Sequence, residues 1–186
     1  AGPAADAGGS TAAHALALLF LKGEGREQSL EDAFVYMKQA AEAGDPTAQF
    51  ALAIMYEEGQ GTVADDVAAT RWYGLAAEAG DPNAAFTYAI RLLEGIGALP
   101  DAAAAAPFLA IAARSGNGQA MNAYAKVLID GPPDLTDDTE AVKWHLLARG
   151  AGISDLYLDG FMASRDPEVV EEARRRAMRY ARRGSR

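Results

Sequence analysis

One interval of 36 residues governs this chain. Gly44, Gly80, Gly116 and Gly152 are spaced by it, and so are Gly23, Gly59, Gly95 and Gly131. Ala12, Ala48, Ala84 and Ala120 keep it too, as do Ala33, Ala69, Ala105 and Ala141. No gap is needed between Thr11 and Ser154, so four units lie end to end: 11–46, 47–82, 83–118 and 119–154. A fixed period of this length marks a solenoid, in which each unit buries its apolar face only against its neighbours. Inside a unit, two short amphipathic stretches flank a Gly-x-Gly turn such as Gly59-Gln60-Gly61, and Gly80-Asp81-Pro82 closes the unit. The expected fold is all-α, a solenoid of four 36-residue helix-turn-helix repeats plus C-terminal capping helices.

Local signals place the helices. The first runs from about Thr11 to Lys22 and is stopped by Gly23-Glu24-Gly25, since glycine tolerates the left-handed backbone that ends a helix. Ser29 with Asp32 three residues on resembles a capping box. Asp65, Asp101 and Asp137 take the place of Ser29 in the later units, each cap worth about 1 kcal/mol. Two units depart from the pattern. Pro107 falls inside the second helix of unit three, where it is expected to bend or delay that helix. Unit four reads Gly131-Pro132-Pro133 at its turn, a stiffer loop. A fifth first helix, Asp155 to about Ala163, forms a half repeat, and Asp166-Pro167-Glu168 then opens an Arg-rich helix that caps the array. The layout is therefore an arm or linker over 1–10, a solenoid over 11–163 and a cap over 164–186.

Composition narrows the function. Alanine dominates the apolar half of the chain, so helices can approach closely. There is no cysteine, which removes disulfides and thiolate metal sites. The formal net charge of −9 speaks against nucleic acid, whose phosphates need a cationic face. That charge is uneven. Residues 1–164 carry 9 basic and 22 acidic groups, whereas residues 165–186 carry 8 basic and 4 acidic ones. No stretch is long and apolar enough to span a bilayer, so direct membrane insertion is not expected. The segment from Ala12 to Leu21 lacks a basic leader and stands in register with later first helices, so it reads as helix rather than signal peptide. The opening AGPAADAGGS reads as the start of an exported chain or as a linker, which favours a bacterial periplasmic setting over a cytoplasmic one.

Two rows of side chains compete for function. Tyr36, Trp72, Phe108 and Trp144 recur on the second helices, each followed one turn later by Ala40, Ala76, Ala112 and Ala148. They read as packing between repeats, with an aromatic binding row as the alternative. On the first helices, Ala48, Leu52 and Tyr56 and their repeats form core. Beside them runs His14 and Leu18, then Phe50 and Ile54, then Phe86 and Ile90, ending in the polar pair Asn122 and Lys126. That row is either an apolar groove for a partner or further core. Glu58, Glu94 and Asp130 end successive first helices, an acidic ridge or ordinary surface, and Arg175 and Arg179 stand on the basic cap. The candidate partner-binding residues are thus His14, Leu18, Phe50, Ile54, Phe86, Ile90, Asn122, Lys126, Glu58, Glu94, Arg175 and Arg179.

Catalytic chemistry finds little to build on. His14 and His145 are the only histidines, and no nucleophile elbow is present. His145 stands where a repeat tyrosine is expected and reads as packing, with pH sensing as the alternative. Asp130, Asp134, Asp137, Asp138 and Glu140 form an acidic loop without the spacing or central glycine of a calcium site. Neither a catalytic set, a metal site nor a cofactor is expected.

Taken together, Ala48, Leu52, Tyr56, Gly59, Gly61, Asp65, Ala69, Trp72, Tyr73, Ala76, Ala77 and Gly80 resemble the Sel-one-like repeat (SLR), an α/α relative of the tetratricopeptide repeat. Ala53 stands where that family prefers glycine. Unit three has Phe108-Leu109 for Trp-Tyr, and unit four has Trp144-His145. The resemblance covers residues 11–154 and suggests a bacterial source. It implies a right-handed α/α superhelix whose first helices line the concave side, and a non-enzymatic scaffold or adaptor holding protein partners there. An accessory structural subunit of a larger, membrane-associated complex, contacted through the termini, is the alternative. A weak hydrolase or β-lactam binder is a remote third, because the disulfides of the cysteine-rich relatives linked to β-lactams are absent.

Overall fold

A computed structural model describes residues 7–22 and 29–184. Those residues form ten helices and no strand. The first helices of the repeats are α1 (Ala7–Lys22), α3 (Pro46–Glu58), α5 (Pro82–Glu94) and α7 (Gly118–Asp130). The second helices are α2 (Leu30–Glu42), α4 (Asp66–Glu78), α6 (Ala102–Arg114) and α8 (Asp138–Gly150). The half-repeat helix α9 (Leu156–Ala163) and the last helix α10 (Pro167–Gly184) follow. Helix α1 starts at Ala7, ahead of the expected Thr11, so the expected arm of residues 1–10 contributes to it. The turn at Gly23-Glu24-Gly25 and residues 1–6 lie outside the described residues.

The helix starts fall on the capping residues. Ser29 Oγ accepts from the Asp32 amide at 3.1 Å. Asp65, Asp101 and Asp137 accept from Ala68, Ala104 and Glu140 at 3.0, 2.8 and 2.9 Å. The joints between repeats use one device throughout. Ala43, Ala79, Ser115 and Ala151 end the second helices, and Gly44, Gly80, Gly116 and Gly152 follow at φ 89°, 94°, 98° and 85°. The next residue turns its amide back onto the helix, as Asp45 does to the Ala40 carbonyl at 3.2 Å and Asp81 to Ala76 at 3.1 Å. Asp45, Asp81 and Asn117 then cap the following first helix with their side chains. One three-residue joint closes one helix and opens the next.

Pro107 does not delay α6, contrary to expectation. The helix begins directly after its cap at Asp101 and keeps the 13 residues of α4. Pro107 is exposed on that helix. The fourth turn also differs in backbone: Gly131 is extended (φ −76°, ψ −173°), whereas Gly59 and Gly95 are left-handed.

The chain divides into two compact units, Ala1–Pro100 and Asp101–Arg186. In the first, α1 to α5 pack in chain order, and α1, α2 and α3 bury Ala13, Ala17, Ala33, Met37, Ala40, Ala48, Leu52 and Met55, all nearly inaccessible. In the second, α7 packs on α6 and α8, and α10 packs on α8. There Trp144, Ala148 and Ala173 are sealed from solvent, and Tyr180 meets Trp144 edge to face at 5.3 Å. Alanine at the contacts lets helix backbones approach, and the few large side chains fill the remaining space.

Candidate protein-interaction surface

The first-helix row lies largely in the first unit. Leu18 is 41% exposed. Phe50, Ile54, Phe86 and Ile90 are each half-buried. The inner edges of Phe50 and Ile54 pack on the cluster of Ala53, Ala69 and Tyr73, with Phe50 meeting the Tyr73 ring at 5.5 Å. Their outer edges remain accessible. His14 places Nδ1 3.1 Å from Asp45 Oδ2, so it braces the cap of α3. Glu58 and Glu94 are exposed, and Glu58 accepts from the Gln60 side chain.

The polar pair in the second unit serves the fold. Asn122 donates to Asp155 Oδ2 at 2.9 Å, and Lys126 Nζ lies 2.7 Å from the same oxygen. Asp155 in turn caps α9 through the amides of Tyr157 and Leu158. The Asn122 hydrogen bond, then that of Lys126, hold the Asp155 carboxyl well below the usual carboxylate range. The acidic loop is likewise engaged. Asp130 accepts from the Tyr157 hydroxyl at 2.8 Å, Asp138 pairs with Arg165 at 2.9 Å, and Glu140 takes up Lys143 and the Trp144 indole. His145 is 1% exposed, with Nε2 2.9 Å from Asp159 Oδ1. Its Nδ1 meets no hydrogen-bond partner among the described residues. Of the aromatic row, Trp144 is buried, while Tyr36, Trp72 and Phe108 are half-buried.

Arg175 and Arg179 meet on one carboxylate. Both reach Glu172, at 3.0 and 3.3 Å, and Arg176 joins them at 3.1 Å. Arg179 also lines a hollow with Lys143, Arg176, Tyr180 and Arg183. Helix periodicity spread these arginines around α10, so the sequence did not show which of them gather.

Sequence reasoning also missed a buried ionic node in the first unit. Arg91, only 3% exposed, donates from Nε to Thr70 Oγ1 at 2.7 Å. Its two terminal nitrogens reach Glu57 and Asp66, each at 2.6 Å. The Tyr73 hydroxyl donates to Glu57 at 2.6 Å, and burial together with that carboxylate pushes the phenol strongly up. A signal was available: one period away from Arg91 stand Met55 and Val127, so a charged residue occupies a core place.

Among the described residues no group of acidic and histidine side chains could hold a metal ion, and no helix is long and apolar enough to cross a membrane. What the surface offers is side-chain edges and charge, suited to non-covalent contact.

Comparison with known proteins agrees with this picture. No curated protein matches the chain. Among solved structures, a Sel1 repeat protein from Oxalobacter formigenes is 27% identical, with a TM-score of 0.72 over 89% of this chain and 73% of its own. The protein c5321, a protective antigen of uropathogenic Escherichia coli displaying an SLR fold, is also 27% identical, with a TM-score of 0.69. It matches 97% of this chain, which spans only 40% of its length. The Sel1 repeat model matches residues 10–45, 46–81, 82–117 and 118–152. Three of those boundaries fall directly after the capping residues Asp45, Asp81 and Asn117, at the joints that the backbone itself defines. Matched four times over, with its joints in the matching places, this chain belongs to the Sel1 repeat family.

Proposed function

We propose that the chain is a non-enzymatic scaffold or adaptor that holds a partner polypeptide along the first-helix face. Sel1 repeats commonly act as protein-interaction modules. The observation that carries the reading is the half-accessible row of Phe50, Ile54, Phe86 and Ile90 beside the exposed Leu18. Such edges are anchored on their inner side and able to bury more area against a partner, the property of interface hot spots. His14, Glu58 and Glu94 belong to its surroundings, whereas Asn122 and Lys126 act on Asp155 and support the fold. The test replaces Phe50 by Ala and Phe86 by Ser and repeats a pull-down from native extract. Loss of a partner with unchanged helical circular dichroism supports the reading, and full recovery of every partner counts against it.

A second reading makes the chain an accessory subunit of a larger, membrane-associated complex, contacted through its termini. The outward arginines of α10, including Arg175 and Arg179, favour it. Removing residues 165–186 should then release the protein from that complex, and continued co-purification would count against this version.

A further inference from the structure

We propose that the basic hollow on α10 is a docking site for a short acidic peptide segment, separate from the first-helix row. Lys143, Arg176, Arg179 and Arg183 converge around the Tyr180 ring. A second hollow, lined by Arg114, Tyr180 and Arg183, adjoins it through the two shared side chains. Among the described residues two carboxylates answer this strip: Glu140 pairs with Lys143 and Arg176, while Glu172 is divided among Arg175, Arg176 and Arg179. The cations outnumber their partners, and an arriving carboxylate can take guanidinium donors that one shared glutamate leaves unfilled.

The field favours a short segment over an extended polyanion. Residues 1–164 carry 9 basic against 22 acidic groups. A bilayer or a nucleic acid spreads its negative charge over a wide area and would be repelled by that excess. A peptide confined to the hollow interacts mainly within a Debye length, about 8 Å at physiological salt. Ala173 of α10 is sealed and Tyr180 rests on Trp144, so neither is available to enter a lipid surface.

The test uses the full chain and a fluorescent peptide of alternating aspartate and serine, with an asparagine-for-aspartate control. Anisotropy should show saturable binding of the acidic peptide only, weakening steeply as salt rises from about 50 to 300 mM. Arg179 is 61% exposed at its side chain and Arg183 is also exposed, so R179E/R183E should keep its circular dichroism and lose about tenfold or more in affinity. R179Q/R183Q should lose less. K38E/R71E makes the same net change in the other unit and should leave binding within about twofold. No binding by the unmodified chain, or an equal loss in K38E/R71E, overturns the proposal. It is also overturned if phosphatidylserine vesicles bind through Arg179 and Arg183 while the peptide does not. A dimer in light scattering that R179E/R183E dissolves would assign the hollow to a second copy and overturn it likewise. Because the row at Phe50 and Phe86 takes no part, failure here leaves the proposed scaffold untouched, and the converse holds.

Discussion

At the scale of single residues, two positions show how geometry sets the cost of a change. A methyl group on Gly97 would sit 2.2 Å from the Asp66 carbonyl of the preceding repeat, on backbone at φ 67°. Gly80 has φ 94° but open space around it. Gly80→Ala should therefore cost only the left-handed strain, about 1–2 kcal/mol. Gly97→Ala should cost clearly more, because the repeats must also part to admit it. Urea melts of the two variants measure the difference, and equal losses would refute the steric account. At Arg91 the asymmetry is electrostatic. The Arg91 side chain is 4% exposed, while those of Glu57 and Asp66 are 40% and 63% exposed. Arg91→Met leaves carboxylates that water can reach, so it should cost about 1–2 kcal/mol. Glu57→Gln with Asp66→Asn strands a buried guanidinium and should cost about 3–5 kcal/mol. Thermal melts in the reverse order would show that the node is not held by this pairing.

Among the elements, α9 starts on a cap that another helix braces. It meets α8 only lightly, and its cap Asp155 is secured by Asn122 and Lys126 of α7. The folded carboxyl is held below its ordinary value of 3.8, so its contribution is fully present above that pH. It is withdrawn as the pH falls below 3.8 toward the depressed folded value. The acid-unfolding curve of Asp155→Asn should accordingly be flatter in that window than that of the unmodified chain. Parallel curves would mean that the cap carries no linked stability. Helix α10 is secured differently, mainly by burying Ala173 and setting Tyr180 on Trp144, with the Arg176–Glu140 pair as the acid-sensitive part of its attachment.

Across the whole molecule, the repeat was legible because it is written in residues whose roles are local. Gly80 is needed for its backbone angle and Asp65 for a cap three residues away, so both can be recognised without knowing what lies opposite. The node at Arg91 joins places separated by up to 34 residues, and only the fold says that Glu57 and Asp66 face it. Lys126 shows the same limit from the other side. Its place in the row suggested a polar end to a groove, yet Asp155, reached through the next joint, claims its ammonium group. Pro107 does not delay the start of α6, because the cap at Asp101 fixes that start six residues earlier. The three-residue joints carry a consequence for how such a chain changes over time. Adding one residue inside the turn at Gly80 would separate the left-handed glycine from the Asp81 cap and uncouple the end of one helix from the start of the next. Copying the 36 residues from Asp45 to Gly80 would add a unit with its joints intact, though Met55 of the copy would stand where Arg91 meets Glu57 and Asp66. Changes in length at the joints should therefore proceed by gain or loss of complete copies, with single-residue insertions falling in the turns inside repeats.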